Sequence, residues 1–158
     1  MRKQANSEDC FICGMENPSG FKLSFHEYPD GTVRSSLKIK TEYQGWPGIV
    51  HGGIIASLLD EVTARVFMND STGKRLMMTA KLEVRFRKPV FTEKSVQLIG
   101  YPVEDKGKIA TARGEILDET GILLAEADSI FIQAPDETIN KMNLNSRQWI
   151  MYPDEEEK

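Results

Sequence analysis

One segment, QGWPGIVHGGIIASLLDEVTARVF at 44–67, constrains the fold of this chain more than any other. Glycine and proline residues open it, and His51-Gly52-Gly53 then leads into a run with helical periodicity. On a helical wheel the larger aliphatic residues share one side: Ile54, Ile55, Leu58, Leu59, Val62 and Val66. The other flank holds mostly small residues and one carboxylate, Asp60. The segment therefore predicts a helix that packs on one side and allows close approach on the other.

The beginning of this predicted helix is suited to holding a polarised carbonyl group. The first N–H groups of a helix have no intrahelical partner, and the helix dipole places partial positive charge there. Gly52 and Gly53 leave the backbone bare at this point, although each glycine costs a helix about 1 kcal/mol. We therefore expect these N–H groups to stabilise developing negative charge, with the carboxylate of Asp60 on the same flank.

Three other polar residues of the segment admit structural as well as chemical interpretations. His51 precedes the helix and could act as an acid or base, but a role as cap of the Gly-Gly turn is favoured. Ser57 would need a basic partner to be a nucleophile, and hydroxyls inside helices usually bond back to the preceding turn. Glu61 lies one turn before Arg65, which predicts a structural ion pair and leaves Glu61 as a reserve for Asp60.

The rest of the chain has the pattern of β-strands. Apolar and polar residues alternate in six segments: 21–28, 32–40, 76–88, 95–103, 108–117 and 122–133. Turn sequences separate neighbouring segments, and Pro29-Asp30-Gly31 is a strong example. The order of two strands, one helix of roughly 17 residues and four strands predicts an α+β layer in which the helix packs on an antiparallel sheet.

The length of 158 residues is that of one domain with a sizeable core. We divide the chain into an N-terminal lead-in at 1–20, a main domain at 21–134, and a C-terminal arm with an acidic tail at 135–158. The first nine residues are polar, so we expect them to be loose. The arm is interpreted as a short helix or an extension over a neighbouring subunit.

Composition and charge argue against two classes of partner. A net charge of −4 without a basic stripe argues against nucleic acid. No apolar run approaches the roughly 20 residues that cross a membrane. The N-terminal residues contain no hydrophobic stretch typical of a signal peptide. We therefore expect a cytoplasmic protein that binds neither nucleic acid nor membrane.

The two cysteines, Cys10 and Cys13, form a CxxC pair that has three interpretations. A zinc site requires four ligands, and the only histidines available are His26 and His51. A redox pair would lie between a strand and a helix, whereas an Asn-Pro-Ser-Gly turn follows here. We favour a structural knuckle over a metal shared between subunits and over redox chemistry. On this interpretation the protein requires no metal and no cofactor.

Three stretches of the sequence resemble the PaaI-like branch of the hotdog-fold acyl-CoA thioesterases, within the 4-hydroxybenzoyl-CoA thioesterase superfamily. They are CFICGMENPSGFKLSF, QGWPGIVHGGIIASLLDE and MMTAKLEVRFRKPV. The resemblance extends over 10–133 and leaves the C-terminal arm unexplained. It implies a hotdog fold, with one long central helix wrapped by an antiparallel sheet of about six strands. It also implies a homodimer or homotetramer with sheets joined edge to edge and active sites between subunits.

The same resemblance implies roles for individual residues. Asp60 matches the catalytic acid, and Gly53 matches the glycine whose N–H forms the oxyanion hole. Thr79 matches a polar residue that approaches the site from the other subunit, and Gln44 matches a residue beside the thioester or the attacking water. Further candidates for substrate binding, named from the residues themselves, are Gly52, Ser57, Arg87 and Lys88. Arg85, Arg87 and Lys88 are typical of a solvated strand face, and they also suit the phosphates of coenzyme A.

The expected function is hydrolysis of an acyl-CoA thioester to a free acid and coenzyme A. The thioester carbonyl would accept a hydrogen bond from Gly53, and Asp60 would activate water or attack the carbonyl directly, with His51 as a further catalytic candidate. Two alternatives stay open: a hotdog module that binds acyl-CoA without hydrolysing it, as a sensor or scaffold, and a CxxC-dependent redox or zinc protein. A hydratase is less expected, because the predicted helix has no histidine of its own.

Overall fold

The computed structural model describes residues 1–68, 75–142 and 150–152. The helices of this part of the chain are α1 (Gly52–Arg65) and α2 (Asp136–Lys141). Its strands are β1 (Arg2–Lys3), β2 (His26–Glu27), β3 (Val33–Lys38), β4 (Gln44–Trp46), β5 (Ile49–Val50), β6 (Met77–Phe86), β7 (Ser95–Asp105), β8 (Ile109–Asp118) and β9 (Leu123–Gln133).

Seven of these strands form one antiparallel sheet in the order β1-β2-β3-β7-β8-β9-β6. The remaining two, β4 and β5, pair with each other as a separate ribbon directly before α1. The helix α1 packs against β3 and against all four long strands, β6 to β9. The fold is therefore a sheet wrapped around one long helix, which confirms the predicted hotdog architecture.

The predicted strands are found with one exception, and the sheet gains one strand. Strands β3 and β6 to β9 begin and end within two residues of their predicted limits, the usual uncertainty of strand ends. The predicted strand at 21–28 is regular only at His26–Glu27. The helix α1 has 14 residues and ends at Arg65, so it is shorter than predicted. The seventh strand is β1, in a segment for which no strand is predicted.

The prediction of a loose segment at 1–9 is wrong. The side chain of Asn6 is buried, with 1% of its surface exposed. Its Nδ2 donates hydrogen bonds of 2.7 Å to the carbonyl oxygens of both Cys13 and Leu23, and its backbone pairs with Ile150. Buried amides need hydrogen-bond partners, and the polar composition of this segment serves that internal bonding as well as solvation.

The helix lies very close to the sheet because glycines face it. Gly100 of β7 and Gly114 of β8 are paired across neighbouring strands. A Cβ atom added to Gly100 would lie 2.3 Å from the carbonyl oxygen of Val62, and one added to Gly114 would lie 2.7 Å from Cγ2 of Thr63. The close approach buries α1 beyond its aliphatic stripe, so that Thr63 is also fully buried.

The strand β6 is a long free edge of the sheet. It has 10 residues, pairs with β9 on one side, and has no strand on its other side among the described residues. Exposed edges of this length are usually covered or protected by charge. Lys81 and Arg85 form ion pairs with Glu83 along β6, but the side chains of Met78 and Phe86 are exposed on it. The edge is therefore only partly protected by charge.

The C-terminal arm begins with α2, in agreement with the predicted short helix. Residues 143–149 and 153–158 of the arm lie outside the described part of the chain. The division of the chain at 20/21 and 134/135 stays a prediction. Within the described ranges, no helix is both long enough and apolar enough to cross a membrane.

Candidate active site

The helix α1 begins at a cap that His51 supplies. The backbone of His51 is extended, with φ −62° and ψ 136°, and its carbonyl accepts hydrogen bonds from the N–H groups of Ile54 and Ile55. Its side-chain Nδ1 accepts a 2.9 Å hydrogen bond from the N–H of Gly53. A side-chain acceptor at this position satisfies one of the donors that a helix start leaves unpaired. In this structure His51 is therefore the cap of the helix.

The capping bond uses the N–H that the sequence resemblance assigns to the oxyanion hole. Because Gly53 donates to His51, its N–H already has a partner. The N–H of Gly52 makes no hydrogen bond within the described ranges. Gly52 is half-buried, and a Cβ atom added there would touch the ring of Phe86 at 3.4 Å. Of the two glycines, Gly52 therefore offers the amide with no internal partner.

Gln44 lies beside this helix start, on the ribbon of β4 and β5. It pairs with Val50 across the ribbon, and its Oε1 accepts a 2.9 Å hydrogen bond from the N–H of Gly48. The next residue, Gly45, approaches the ring of His51, since an added Cβ atom would lie 3.2 Å from its Cδ2. The amide oxygen of Gln44 thus braces the turn, while its Nε2 donates to no described residue.

Asp60 and Thr79 meet within one chain. The hydroxyl Oγ1 of Thr79 donates a 2.7 Å hydrogen bond to Oδ1 of Asp60. The prediction that Thr79 approaches Asp60 from a second subunit is therefore wrong, because β6 runs alongside α1 in the same chain and shifts its register at Thr79. Oδ2 of Asp60 receives no hydrogen bond from the described residues. The half-buried carboxylate is thus fixed at one oxygen and open at the other.

The hydroxyls inside α1 are engaged in the helix itself. Ser57 Oγ donates to the carbonyl of Gly53 at 2.9 Å, which is the back-bonding expected of a hydroxyl inside a helix. No basic side chain bonds to Ser57 among the residues described. Thr63 Oγ1 bonds to the carbonyl of Leu59 and to the hydroxyl of Ser129. A nucleophilic serine therefore has no support in these contacts.

The two groups of candidate residues lie far apart along α1. Gly52 and Asp60 are eight positions apart, and a helix rises about 1.5 Å per residue, so about 12 Å separates them along the axis. A carbonyl bonded to the N–H of Gly52 would lie beyond the reach of Asp60 in the same chain, since a general base acts over about 3 Å. One chain therefore holds two separate halves of a site, one with Gln44 and the helix start, the other with Asp60 and Thr79.

The segment that contains the helix start, Asp60 and Thr79 matches a known family, and Gln44 lies just before it. The model of the thioesterase superfamily matches residues 47–125, from the turn before α1 to β9. The chain belongs to the thioesterase superfamily. The matched segment includes Asp60 and Thr79, and it also includes the helix start. Family membership thus agrees with the resemblance that the sequence motifs predict.

Individual relatives agree with this assignment. Mouse acyl-coenzyme A thioesterase THEM4 is 26% identical over 139 residues, which cover 85% of this chain and 58% of THEM4. The crystal structure of another thioesterase superfamily protein is 29% identical, with a TM-score of 0.71 over 80% of this chain and 60% of that one. The chain therefore spans about three fifths of the length of either protein. The E. coli PaaI protein, from the phenylacetic acid degradation operon, shares the fold, with a TM-score of 0.63 at 12% identity over 72% of this chain and 80% of PaaI.

The three basic residues at the end of β6 and directly after it, Arg85, Arg87 and Lys88, have different partners. Arg85 pairs with Glu83 at 2.7 Å, and Arg87 Nε donates to Oε1 of Glu126 at 2.7 Å. Both guanidinium groups are thus engaged by carboxylates of the same sheet. Lys88 forms no ion pair with the described residues, and it lines a cavity of about 410 Å³ together with Phe91 and Ile122 among others. Of the three residues, Lys88 is therefore the one that no described carboxylate holds in a contact ion pair, although its charge helps to lower the pKa of Asp118 in the same cavity.

The CxxC segment folds as a tight knuckle against α1. The N–H of Gly14 donates to the carbonyl of Cys10 at 2.9 Å, and the N–H groups of Ile12 and Cys13 point at the Cys10 sulfur from 3.3 and 3.5 Å. A hydrogen bond from the Cys13 side chain lowers the pKa of Cys10 to about 6, with help from those N–H groups. The same contact and burial raise the pKa of Cys13. The Cys10 sulfur lies 3.8 Å from Oε2 of Glu61.

The predicted ion pair between Glu61 and Arg65 is confirmed, at a depth the sequence did not indicate. Arg65 Nε donates to Oε1 of Glu61 at 2.8 Å, and its side chain is 1% exposed. Its Nη1 donates to the carbonyl of Ala5 at 2.7 Å, and the guanidinium lies over the ring of Phe25 at 4.7 Å. The pair therefore joins the N-terminal segment to α1 beneath the surface.

Proposed function

We propose that this chain hydrolyses an acyl-CoA thioester to a carboxylic acid and coenzyme A. The observation that carries the proposal is the carboxylate of Asp60, which Thr79 fixes at 2.7 Å through Oδ1 and which is open at Oδ2. A base held in this way at a half-buried position can deliver one oxygen to a reacting group. Membership of the thioesterase superfamily supports thioester chemistry, and the name of the mouse relative supports an acyl-CoA substrate.

We assign the stabilisation of the oxyanion to the start of α1. The N–H of Gly52 is the better candidate of the two, because the N–H of Gly53 is engaged by His51. Gly53 would take this role only after its bond to His51 breaks. Partial positive charge at a helix start favours the developing negative charge on the carbonyl oxygen, and loss of one such donor typically costs about 100- to 1000-fold in rate.

A complete site on this proposal requires two copies of the chain. The free edge of β6 supports antiparallel pairing with the β6 of a second copy about a two-fold axis. The two α1 helices would then run in opposite directions, with the Gly52 end of one chain facing the Asp60 end of the other. This arrangement overcomes the separation of about 12 Å within one chain. We therefore propose a homodimer with two shared sites as the smallest active form, with a homotetramer as a pair of such dimers.

The chemical steps follow from these positions. Oδ2 of Asp60 accepts a proton from water while the water oxygen attacks the thioester carbon, and the carbonyl oxygen becomes negative at the helix start. The C–S bond then breaks, and the coenzyme A thiolate takes the proton as it leaves. Alternatively, Oδ2 attacks the carbon directly, the C–S bond breaks and the coenzyme A thiolate leaves, and water then opens the resulting anhydride and gives a proton to the thiolate. In a single turnover in ¹⁸O-labelled water, label in Asp60 identifies the anhydride route, because only hydrolysis of the anhydride at its aspartyl carbon places label there.

Gln44 and Lys88 complete the proposed contacts to substrate. The Nε2 of Gln44 is available beside the helix start to orient the thioester or the water, since its Oε1 is engaged by Gly48. Lys88 is available for a phosphate of coenzyme A because no described carboxylate holds it in a contact ion pair, although its charge acts on Asp118 of the same cavity. Arg85 and Arg87 would have to release their carboxylate partners first, and the side chain of Ser57 would contribute only contact.

The test measures coenzyme A release from short, medium, long and aromatic acyl-CoA thioesters by the purified chain. We expect turnover of at least one class and its loss in Asp60→Asn. The matched control is Asp128→Asn, which removes an exposed carboxylate from β9. Binding of the same thioesters without hydrolysis of any of them would instead identify an acyl-CoA-binding sensor or scaffold.

A further inference from the structure

Among the described residues, one group of metal-ligating side chains stands apart from the proposed thioester site. One ligand atom each from Cys10, Cys13 and Glu61 lie within 4.8 Å of one another. None of these side chains takes part in the proposed hydrolysis. We propose that these three side chains bind a divalent metal ion of the zinc type and so fasten the N-terminal segment to α1.

The distances suit a tetrahedral zinc ion. With Zn–S bonds of about 2.3 Å and Zn–O bonds of about 2.1 Å, a sulfur and an oxygen on one tetrahedral ion lie about 3.6 Å apart. The Cys10 sulfur lies 3.8 Å from Oε2 of Glu61, so little movement is needed to reach that spacing. Cys13 is fully buried, whereas Cys10 is half-buried. The half-buried side leaves room for water as the fourth ligand.

The backbone of the knuckle is arranged to present both sulfurs on one side. The N–H groups of Ile12 and Cys13 point at the Cys10 sulfur, and such donors stabilise a thiolate ligand. The turn closes at Gly14, where an added Cβ atom would lie 2.3 Å from the carbonyl oxygen of Cys10. Only glycine fits at that position. The CxxC spacing is also the ligand spacing found in zinc knuckles.

The charges around the cluster balance when a dication is present. Two thiolates and one carboxylate carry three negative charges, and a divalent ion with the buried guanidinium of Arg65 supplies three positive ones. Arg65 bonds to Oε1 of Glu61, whereas Oε2 is the oxygen near the sulfur of Cys10. A partner that fixes the second oxygen of a ligating carboxylate is a common feature of metal sites. The buried cation therefore orients Glu61 toward the sulfurs.

The sequence favours a knuckle without metal because the third ligand, Glu61, is not close to the cysteines along the chain. Cysteine spacing and the count of histidines supply only two ligands near each other, and Glu61 lies far along the chain on α1. The fold brings it to the knuckle. Because Glu61 follows Asp60 directly, a metal there would also steady the helix next to the proposed catalytic base. The inference does not rest on the proposed hydrolysis.

The test uses the full chain, reduced and freed of metal by a chelator, with Co²⁺ as an optical probe and Zn²⁺ as its competitor. We expect one Co²⁺ per chain, with a thiolate-to-cobalt charge-transfer band that Zn²⁺ abolishes. Cys10→Ser and Cys13→Ser should each weaken that band. Glu61→Gln should lower the affinity for Co²⁺ at least about 100-fold, since loss of an outer partner alone typically costs 10- to 100-fold. The control Glu16→Gln removes an exposed carboxylate of the same segment and should change nothing.

Three results would overturn the proposal. The first would be the absence of a charge-transfer band from the reduced wild-type chain at every Co²⁺ concentration. The second would be a Glu61→Gln variant that binds Co²⁺ as tightly as wild type, since Glu61 would then not be a ligand. The third would be a purified chain with a Cys10–Cys13 disulfide that takes up no metal after reduction, since the pair would then be a redox couple. The wild-type titration and the Glu61→Gln comparison suffice if the cysteine variants fail to fold, and none of these measurements depends on thioester hydrolysis.

Discussion

The hydroxyl of Thr79 donates a 2.7 Å hydrogen bond to Oδ1 of Asp60, and both residues belong to the same chain. The bond connects α1 to the free edge strand β6, so the edge of the sheet fixes the orientation of the carboxylate. The bond thus places the carboxylate of Asp60 beside the strand with which the proposed partner would pair. The proposed base and the proposed subunit boundary lie together for this reason.

The first prediction concerns the carboxylate. Asp60→Asn keeps the size of the side chain and can keep a hydrogen bond to Thr79, but it removes the base. A general base typically contributes about 10²- to 10⁴-fold, so we expect kcat to fall at least about 100-fold, with a much smaller change in KM. Steady-state rates on the best thioester of the panel measure this, beside Asp128→Asn as control. Turnover near that of wild type in Asp60→Asn would rule out this mechanism.

The second prediction concerns Thr79 as a positioning residue. Thr79→Val keeps the shape but loses the donor to Asp60, so the carboxylate is no longer fixed. We expect kcat to fall about 10- to 100-fold through misplacement of the base, and Thr79→Ser to restore most of it. The measurement compares kcat of Thr79→Val and Thr79→Ser, after thermal unfolding has shown that the two variants are equally stable. Equal activity of Val and Ser at this position contradicts a role for the hydroxyl.

The third prediction tests whether the site is shared between subunits. Asp60→Asn damages one half of the site and Gln44→Ala damages the other. If each site combines the two halves of different chains, a mixed dimer has one doubly damaged site and one intact site. Co-expression of the two variants with different affinity tags yields the mixed dimer. We expect about half of the wild-type rate, because one of its two sites is intact.

The homodimers of each single variant serve as controls for this experiment, and both should be slow. If each chain instead built its own complete site, every site of the mixed dimer would carry one defect. The mixed dimer would then be as slow as its parents. That outcome would also remove the reason for proposing antiparallel pairing of β6.

Hydrophobic periodicity was sufficient to predict the main elements of the fold. The aliphatic stripe of α1 and the alternation in the four long strands are local patterns, and each places one face of its element in the core. The position of Asp60 among small residues on the opposite flank followed from the same helical wheel. Local sequence is a good guide where burial of one face decides the structure.

Other features depend on residues that are distant in sequence. Asn6 is buried because Cys13 and Leu23 lie around it, and nothing in its own segment indicates this. The contact of Thr79 with Asp60 depends on the register of β6 beside α1. The approach of Glu61 to the CxxC knuckle requires the whole lead-in to fold onto the helix. Such contacts are not visible in a periodic pattern.

The fourth prediction uses the ion pairs of Glu126. Hydrogen bonding from Arg87 first, and then the charges of Arg113 and Arg87, lower the pKa of this carboxyl group. Its contribution to stability is therefore present above the pKa of an unfolded glutamate and is lost as the pH falls through the lower pKa of the folded state. We expect Glu126→Gln to destabilise the protein by about 1 to 3 kcal/mol at neutral pH.

Urea unfolding of wild type and Glu126→Gln at a series of pH values measures this effect. The difference between the two should shrink as the pH is lowered below the ordinary glutamate range, because wild type then loses the same charge. Arg87 and Arg113 are about half exposed, which keeps the effect moderate. A difference that stays constant down to acid pH would contradict an ionic origin.

The fifth prediction concerns the close contact of α1 with the sheet and distinguishes two paired glycines. A methyl group at Gly100 would meet the carbonyl oxygen of Val62 at 2.3 Å, an atom of the helix backbone. A methyl group at Gly114 would meet Cγ2 of Thr63 at 2.7 Å, at the end of a side chain. Overpacking of this kind typically costs about 1 to 3 kcal/mol, and a backbone atom moves less readily than a side chain. We therefore expect both alanine variants to be less stable than wild type in urea unfolding, and Gly100→Ala to be less stable than Gly114→Ala. Stability of Gly100→Ala equal to that of wild type would contradict so close an approach of α1 to β7.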